Sequence, residues 1–81
     1  MDYLIKTPAQ LGPLLAGTRR QRKLTQAAAG TKVGLAQNAV SALETDASKA
    51  SLDRIFRLLS ALELDLVVRD RRAKSPSASS W

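Results

Sequence analysis

Between Leu24 and Glu44 the chain punctuates itself twice in quick succession, and this leaves few ways to fold it. Thr25 reads as a helix cap with Gln26 at the first helical position. A short, alanine-rich helix is predicted from about Gln26 to Lys32. Gly34 closes it, because glycine enters the left-handed turn that ends many helices without a steric penalty. Leu35 plugs that turn, and a third helix is predicted from about Gln37 to Thr45. Two short helices joined by a glycine turn make the helix-turn-helix layout.

Advancing by about 100° per residue, the third helix sorts its side chains into two faces. Ala36, Ala39, Val40 and Leu43 point one way and suit a core. Gln37, Asn38, Ser41 and Ala42 point the other way, at the end of the helix that enters a major groove in this layout. Each carboxamide carries a donor and an acceptor, the pattern that meets adenine N6 and N7. Gln26 opens the preceding helix, where its side chain and the free N-terminal amides suit a phosphate. Thr25, Lys32, Ala39, Ser41 and Lys49 are further candidates for DNA contact, with Arg20 and Arg22 beside them. Arg19 and Glu44 are expected to pair with each other as a structural ion pair.

Charge placement agrees with a phosphate-bearing partner. The net charge is +6. No acid lies between Asp2 and Glu44, whereas Lys6, Arg19, Arg20, Arg22, Lys23 and Lys32 all do. A segment of one sign suits nucleic acid, and equally a plain solvated basic face. The chain of 81 residues contains neither cysteine nor histidine. That removes thiolate metal ligation, disulfides and the commonest general base, and no paired carboxylates, nucleophile–base pair or glycine-rich phosphate loop appears. No catalytic residue, metal or cofactor is expected. With neither a membrane-length apolar run nor a secretion signal, the expectation is a cytoplasmic protein.

Around the central motif, Thr7-Pro8-Ala9-Gln10 predicts a helix start with a capping box. Leu11, Leu14, Leu15 and Thr18 continue it as a buried stripe. Pro13 lacks the amide its turn requires, so the helix either kinks there or begins there. Thr45 to Ala50 reads as a loop. Ser51 caps a fourth helix ending near Leu62, whose Leu52, Ile55, Phe56, Leu58, Leu59 and Leu62 cover a wide face expected to lie deep in the core. Residues 64–69 (LDLVVR) change to an alternating period, with Leu64, Leu66, Val67 and Val68 as a candidate strand. A lone strand cannot satisfy its own backbone. It pairs with Tyr3–Lys6, with its copy in a second subunit, or with both. The expected fold is therefore all-α, with four to five helices and a short C-terminal strand that pairs across a dimer. Residues 1–70 form the DNA-binding and dimerisation domain, and residues 71–81 (RRAKSPSASSW) a flexible basic and serine-rich tail. Trp81 on that tail is either an anchor for a partner's pocket or an accident of the terminus.

Residues 19–44, RRQRKLTQAAAGTKVGLAQNAVSALE, resemble the helix-turn-helix of the Xre family of phage repressors and their relatives. Arg19, Leu24-Thr25-Gln26, Val33-Gly34, Gln37, Val40-Ser41 and Leu43-Glu44 carry the likeness. Within that family the chain is similar to the HipB-type antitoxins over nearly its whole length, through TPAQLGPLLAGTRRQRKLTQ, RIFRLLSALELDLVV and a tail ending in tryptophan. The resemblance implies DNA contact at Gln26, Gln37 and Asn38, and the Arg19–Glu44 pair. It also implies a homodimer tied by copy-to-copy strand pairing, repression of the protein's own operon at palindromic operators, and a HipA-like Ser/Thr kinase toxin that captures Trp81. A stand-alone Xre-type regulator without a toxin is the alternative. The chain departs from the family pattern at Ala36, where the cap of the third helix is weakened. It departs also at Ala29 and Gly30, which imply an under-packed second helix. The Thr45–Ala50 loop lacks the usual proline and asparagines.

Overall fold

A computed structural model describes residues 2–72. These residues form four α-helices, α1 (Pro8–Gln21), α2 (Gln26–Thr31), α3 (Gln37–Thr45) and α4 (Leu52–Ala61), with a 3-10 turn at Ala47–Lys49 between the last two.

The first helix starts at Pro8 and passes through Pro13. Its beginning is fixed by Gln10, whose Oε1 accepts from the backbone N–H of Thr7 (3.1 Å) and of Lys6 (2.6 Å). That reach-back satisfies amides that have no helical partner, so the helix forms upstream of the proline. Gly12 lies at the point where α1 crosses the end of α3. A β-carbon there would stand 2.5 Å from the Glu44 carbonyl oxygen, so only a glycine permits this approach.

Three helices end in the same way. Lys23, Gly34 and Glu63 take positive φ values of 59°, 71° and 58°. In each case the next residue folds back on the helix: Leu24 N–H donates to Arg19 O (3.1 Å), Leu35 N–H to Gly30 O (2.9 Å), and Leu64 N–H to Leu59 O (2.8 Å). This is the Schellman arrangement, and each returning leucine adds the apolar contact that accompanies it. Leu35 is buried, while Leu24 and Leu64 pack half-buried against the core. One such turn, at Gly34, is expected from the sequence. The other two are borne by a lysine and a glutamate, which carry no turn signature.

The core gathers Leu15, Ala29, Leu35, Val40, Leu43, Leu58, Leu59, Ala61 and Leu62. On α4 the buried set is narrower than its pattern predicts. Leu58, Leu59 and Leu62 are inside, but Leu52 is 61% exposed and Phe56 46% exposed, and Ile55 is half-buried. The wide apolar face is real, but one chain supplies partners for only one side of it. The remainder faces outward, as do Tyr3, Leu4, Leu66, Val67 and Val68.

Residues 64–70 follow α4 without helix or strand pairing among the described residues, and Tyr3–Lys6 forms no ladder with them. Of the three pairings open to the candidate strand, those involving the N-terminal run are absent from this structure. The loop expected over Thr45–Ala50 contains the 3-10 turn, held by Asp46. Its carboxylate accepts from Ser48 Oγ (2.5 Å) and Ser48 N–H (3.1 Å), bonds that hold Asp46 below the usual carboxylate range. The greater part of the tail, with Trp81, lies outside the described residues.

Candidate nucleic-acid interface

The third helix stands with its opening residues in solvent. Gln37 and Asn38 are exposed, as are Ala42 and Thr45 farther along, and Ser41 is half-buried beside them. Val40 and Leu43 hold the opposite face in the core. Ala36, expected on the core face, is instead exposed at the cap position with no side-chain hydrogen bond, so the helix N-terminus is left open. Ala39 is half-buried against the core, at the edge where the helix turns inward. It therefore presents little surface for a DNA contact.

A buried polar cluster behind α3 fixes its position. Arg19 on α1 donates Nε to Glu44 Oε2 (2.7 Å) and Nη2 to Glu44 Oε1 (3.2 Å). Its remaining terminal nitrogen, Nη1, donates to the Leu24 carbonyl (2.8 Å). Side-chain exposure is 11% for Arg19 and 7% for Glu44. The hydrogen bonds that Arg19 donates to Glu44 raise the Arg19 pKa above its ordinary value. Fork-to-fork geometry of this kind fixes orientation as well as charge. It locks the end of α3 to α1 and to the α1–α2 turn just before the Thr25 cap.

Gln26 joins the same cluster, donating Nε2 to Glu44 Oε1 at 3.1 Å. From the sequence alone, Gln26 is expected to be free to meet a phosphate. The structure instead tethers its amide to α3 and leaves the residue half-buried. Residues 26 and 44 are far apart in sequence, so no spacing rule could have joined them. Only the crossing of α2 and α3 does. Thr25 caps α2 by accepting from Ala28 N–H (3.0 Å) and is exposed.

The cations divide by what they touch. Arg19 is internal, and Arg22 Nε donates to the Leu62 carbonyl (3.1 Å), which pins the end of α1 to the end of α4. Lys6, Arg20, Lys23 and Lys32 are exposed. Lys49, 86% exposed, lies 4.0 Å from Asp46 across the 3-10 turn. A contact so open contributes little to stability, so Lys49 can exchange it for a phosphate. Among the described residues no cluster of acids could hold a metal, and no helix is long and apolar enough to cross a membrane.

Comparison with known proteins matches this geometry. A helix-turn-helix family model covers residues 16–68. Antitoxin HipB of Escherichia coli O6:H1 is 32% identical over 75 residues, spanning 93% of this chain and 80% of the relative. Antitoxin HipB of Escherichia coli K12 is 29% identical over 75 residues, spanning 93% and 85%. Among solved structures, a HipB variant in complex with an O2 20mer superposes with a TM-score of 0.82 at 30% identity, covering 88% of this chain and 99% of that one. A HipA–HipB–O2–O3 complex gives a TM-score of 0.81 at 28% identity, covering 86% and 99%.

Proposed function

Since the chain belongs to the helix-turn-helix family, within the group of HipB antitoxins, we propose that it is a DNA-binding antitoxin that represses its own operon and binds a HipA-type kinase toxin. The observation that carries this reading is the open tip of α3. Two neutral amides, Gln37 and Asn38, stand in solvent on a helix clamped from behind, in a domain whose Arg20, Lys23, Lys32 and Lys49 are also exposed. A helix held this rigidly needs no ordering of its backbone on meeting the groove, so only the two side chains lose freedom there. Phosphate contacts at Arg20, Lys23, Lys32, Lys49 and Thr25 supply affinity, and α3 supplies sequence choice. Gln26 contributes through the amide oxygen and hydrogen that its bond to Glu44 leaves over.

The exposed apolar surface supports a homodimer. Leu64, Leu66, Val67 and Val68 pair with their copies across a two-fold axis, and Leu52 and Phe56 supply apolar area that a single chain leaves uncovered. Two recognition helices then stand about 34 Å apart, matching one turn of B-DNA. The kinase takes up the antitoxin through contacts that include Trp81. The role involves no catalysis by this chain and places it in the bacterial cytoplasm, at the nucleoid.

The test combines a footprint with a capture. The full chain is expected to protect two half-sites, one helical turn apart, in the DNA upstream of its own operon. Deleting residues 75–81 should leave that footprint intact and weaken co-purification of a kinase encoded beside it. A footprint without any kinase capture, from the full chain, would leave a regulator with no toxin. No protected palindrome would end the repressor reading altogether.

A further inference from the structure

Resting on the operator-binding reading above, we infer that α3 reads A·T pairs: each half-site presents adenine and thymine, and not guanine or cytosine, where this helix meets the base edges. The outward face of α3 consists of Gln37, Asn38, Ala42 and Thr45, with Ser41 half-buried between them and the Ala36 methyl at its open cap. None of these carries a charge, and the whole helix, QNAVSALET, holds no lysine or arginine. Guanine offers two acceptors in the major groove, O6 and N7, and the side chains that meet them best are arginine and lysine. This helix has neither.

Cytosine is disfavoured for a different reason. It offers the N4 amino donor, which a carboxylate accepts. Glu44 is the acid on α3, and both of its oxygens are occupied. Oε2 accepts from Arg19 Nε, and Oε1 accepts from Arg19 Nη2 and Gln26 Nε2. Turning Glu44 outward would break all three bonds and strand the buried Arg19 guanidinium. The clamp that holds α3 in place also withholds its carboxylate from the groove.

What remains is the chemistry of A·T pairs. The amides of Gln37 and Asn38 match adenine N6 and N7. Ala42, Thr45 and Ala36 offer methyl groups, which pack on the thymine 5-methyl. The hydroxyls of Ser41 and Thr45 accept or donate and do not discriminate. The helix therefore carries two adenine readers and three methyl surfaces, and nothing on it favours the other pair.

The experiment is selection from a random duplex library with the full chain and with Asn38→Arg in parallel. Arginine prefers guanine, so the position at which the variant's choice changes marks the pair that residue 38 touches. The wild-type chain is expected to select A·T there and the variant G·C. Exchanging that A·T pair for G·C should weaken wild-type binding about tenfold or more. Replacing thymine by deoxyuracil at the contacted positions, which removes only the methyl, should weaken it about fourfold per methyl. Selection of G·C by the wild-type chain, no change of base with Asn38→Arg, or uracil bound as tightly as thymine would each overturn the inference while leaving operator binding intact. Enrichment of no sequence at all would overturn the operator-binding reading and this inference with it.

Discussion

Replacing Arg19 by alanine is expected to lower the unfolding free energy by about 3 kcal/mol, read as a shift of the urea midpoint. A loss of this size is large for a domain whose total stability lies in the range of about 5–15 kcal/mol. The cause lies in what the truncation leaves behind. Glu44 is 7% exposed, and its carboxylate would keep one donor, the Gln26 amide, in place of three. The Leu24 carbonyl would lose its side-chain partner as well. Removing one member of a buried pair costs more than the pair's own net contribution, because the survivor stays desolvated. Arg19→Lys should recover part of the loss but not all, since an ammonium cannot bond both carboxylate oxygens in a fork and the carbonyl at once. A loss below about 1 kcal/mol for the alanine variant would mean that the pair behaves as an exposed one.

The second large effect runs against helix propensity. Gly30→Ala exchanges a poor helix former for the best one, worth about 1 kcal/mol in favour of the variant on an exposed helix. Here it is expected to destabilise the fold by about 3 kcal/mol. A β-carbon at residue 30 would fall onto the Leu35 carbonyl oxygen, inside any tolerable contact, with Val40 Cγ2 at 3.2 Å on another side. Leu35 cannot retreat easily. Its N–H is bonded to the Gly30 carbonyl, and its side chain is buried in the core. The obstacle is backbone, not the far end of a flexible side chain, so relief requires the whole α2–α3 turn to open. Operator affinity should fall together with stability, because that turn sets the angle at which α3 leaves the core. A thermal melt showing Gly30→Ala to be as stable as the parent would contradict the close approach of α2 to the turn.

Residue 30 also marks where sequence reasoning stops. From the sequence, Ala29 and Gly30 imply a loose second helix. The structure packs Ala29 without exposure and presses residue 30 against the Leu35 backbone. Small side chains here signal proximity, and distance between elements cannot be read from periodicity. What could be read was local. Caps at Thr25 and Ser51, the turn at Gly34, the inward set Val40 and Leu43, and the outward set Gln37 and Asn38 all follow from residue type and spacing within one element. The partial exposure of α4 was not legible for a related reason. Leu52 and Phe56 fit a core face by spacing, and nothing in the spacing tells whether the neighbour covering that face belongs to the same chain. The Gln26–Glu44 bond joins separate helices and has no local signature either.

The amides at the tip of α3 choose the sequence that is bound. Binding of Gln37→Ala to the operator and to a random duplex, measured at the same salt concentration, tests this most directly. The expected result is a loss of about 2 kcal/mol on the operator, near thirtyfold, with affinity for the random duplex unchanged. An equal loss on both, with the fold intact by circular dichroism, would show that residue 37 takes no part in reading bases and would contradict the interface described above.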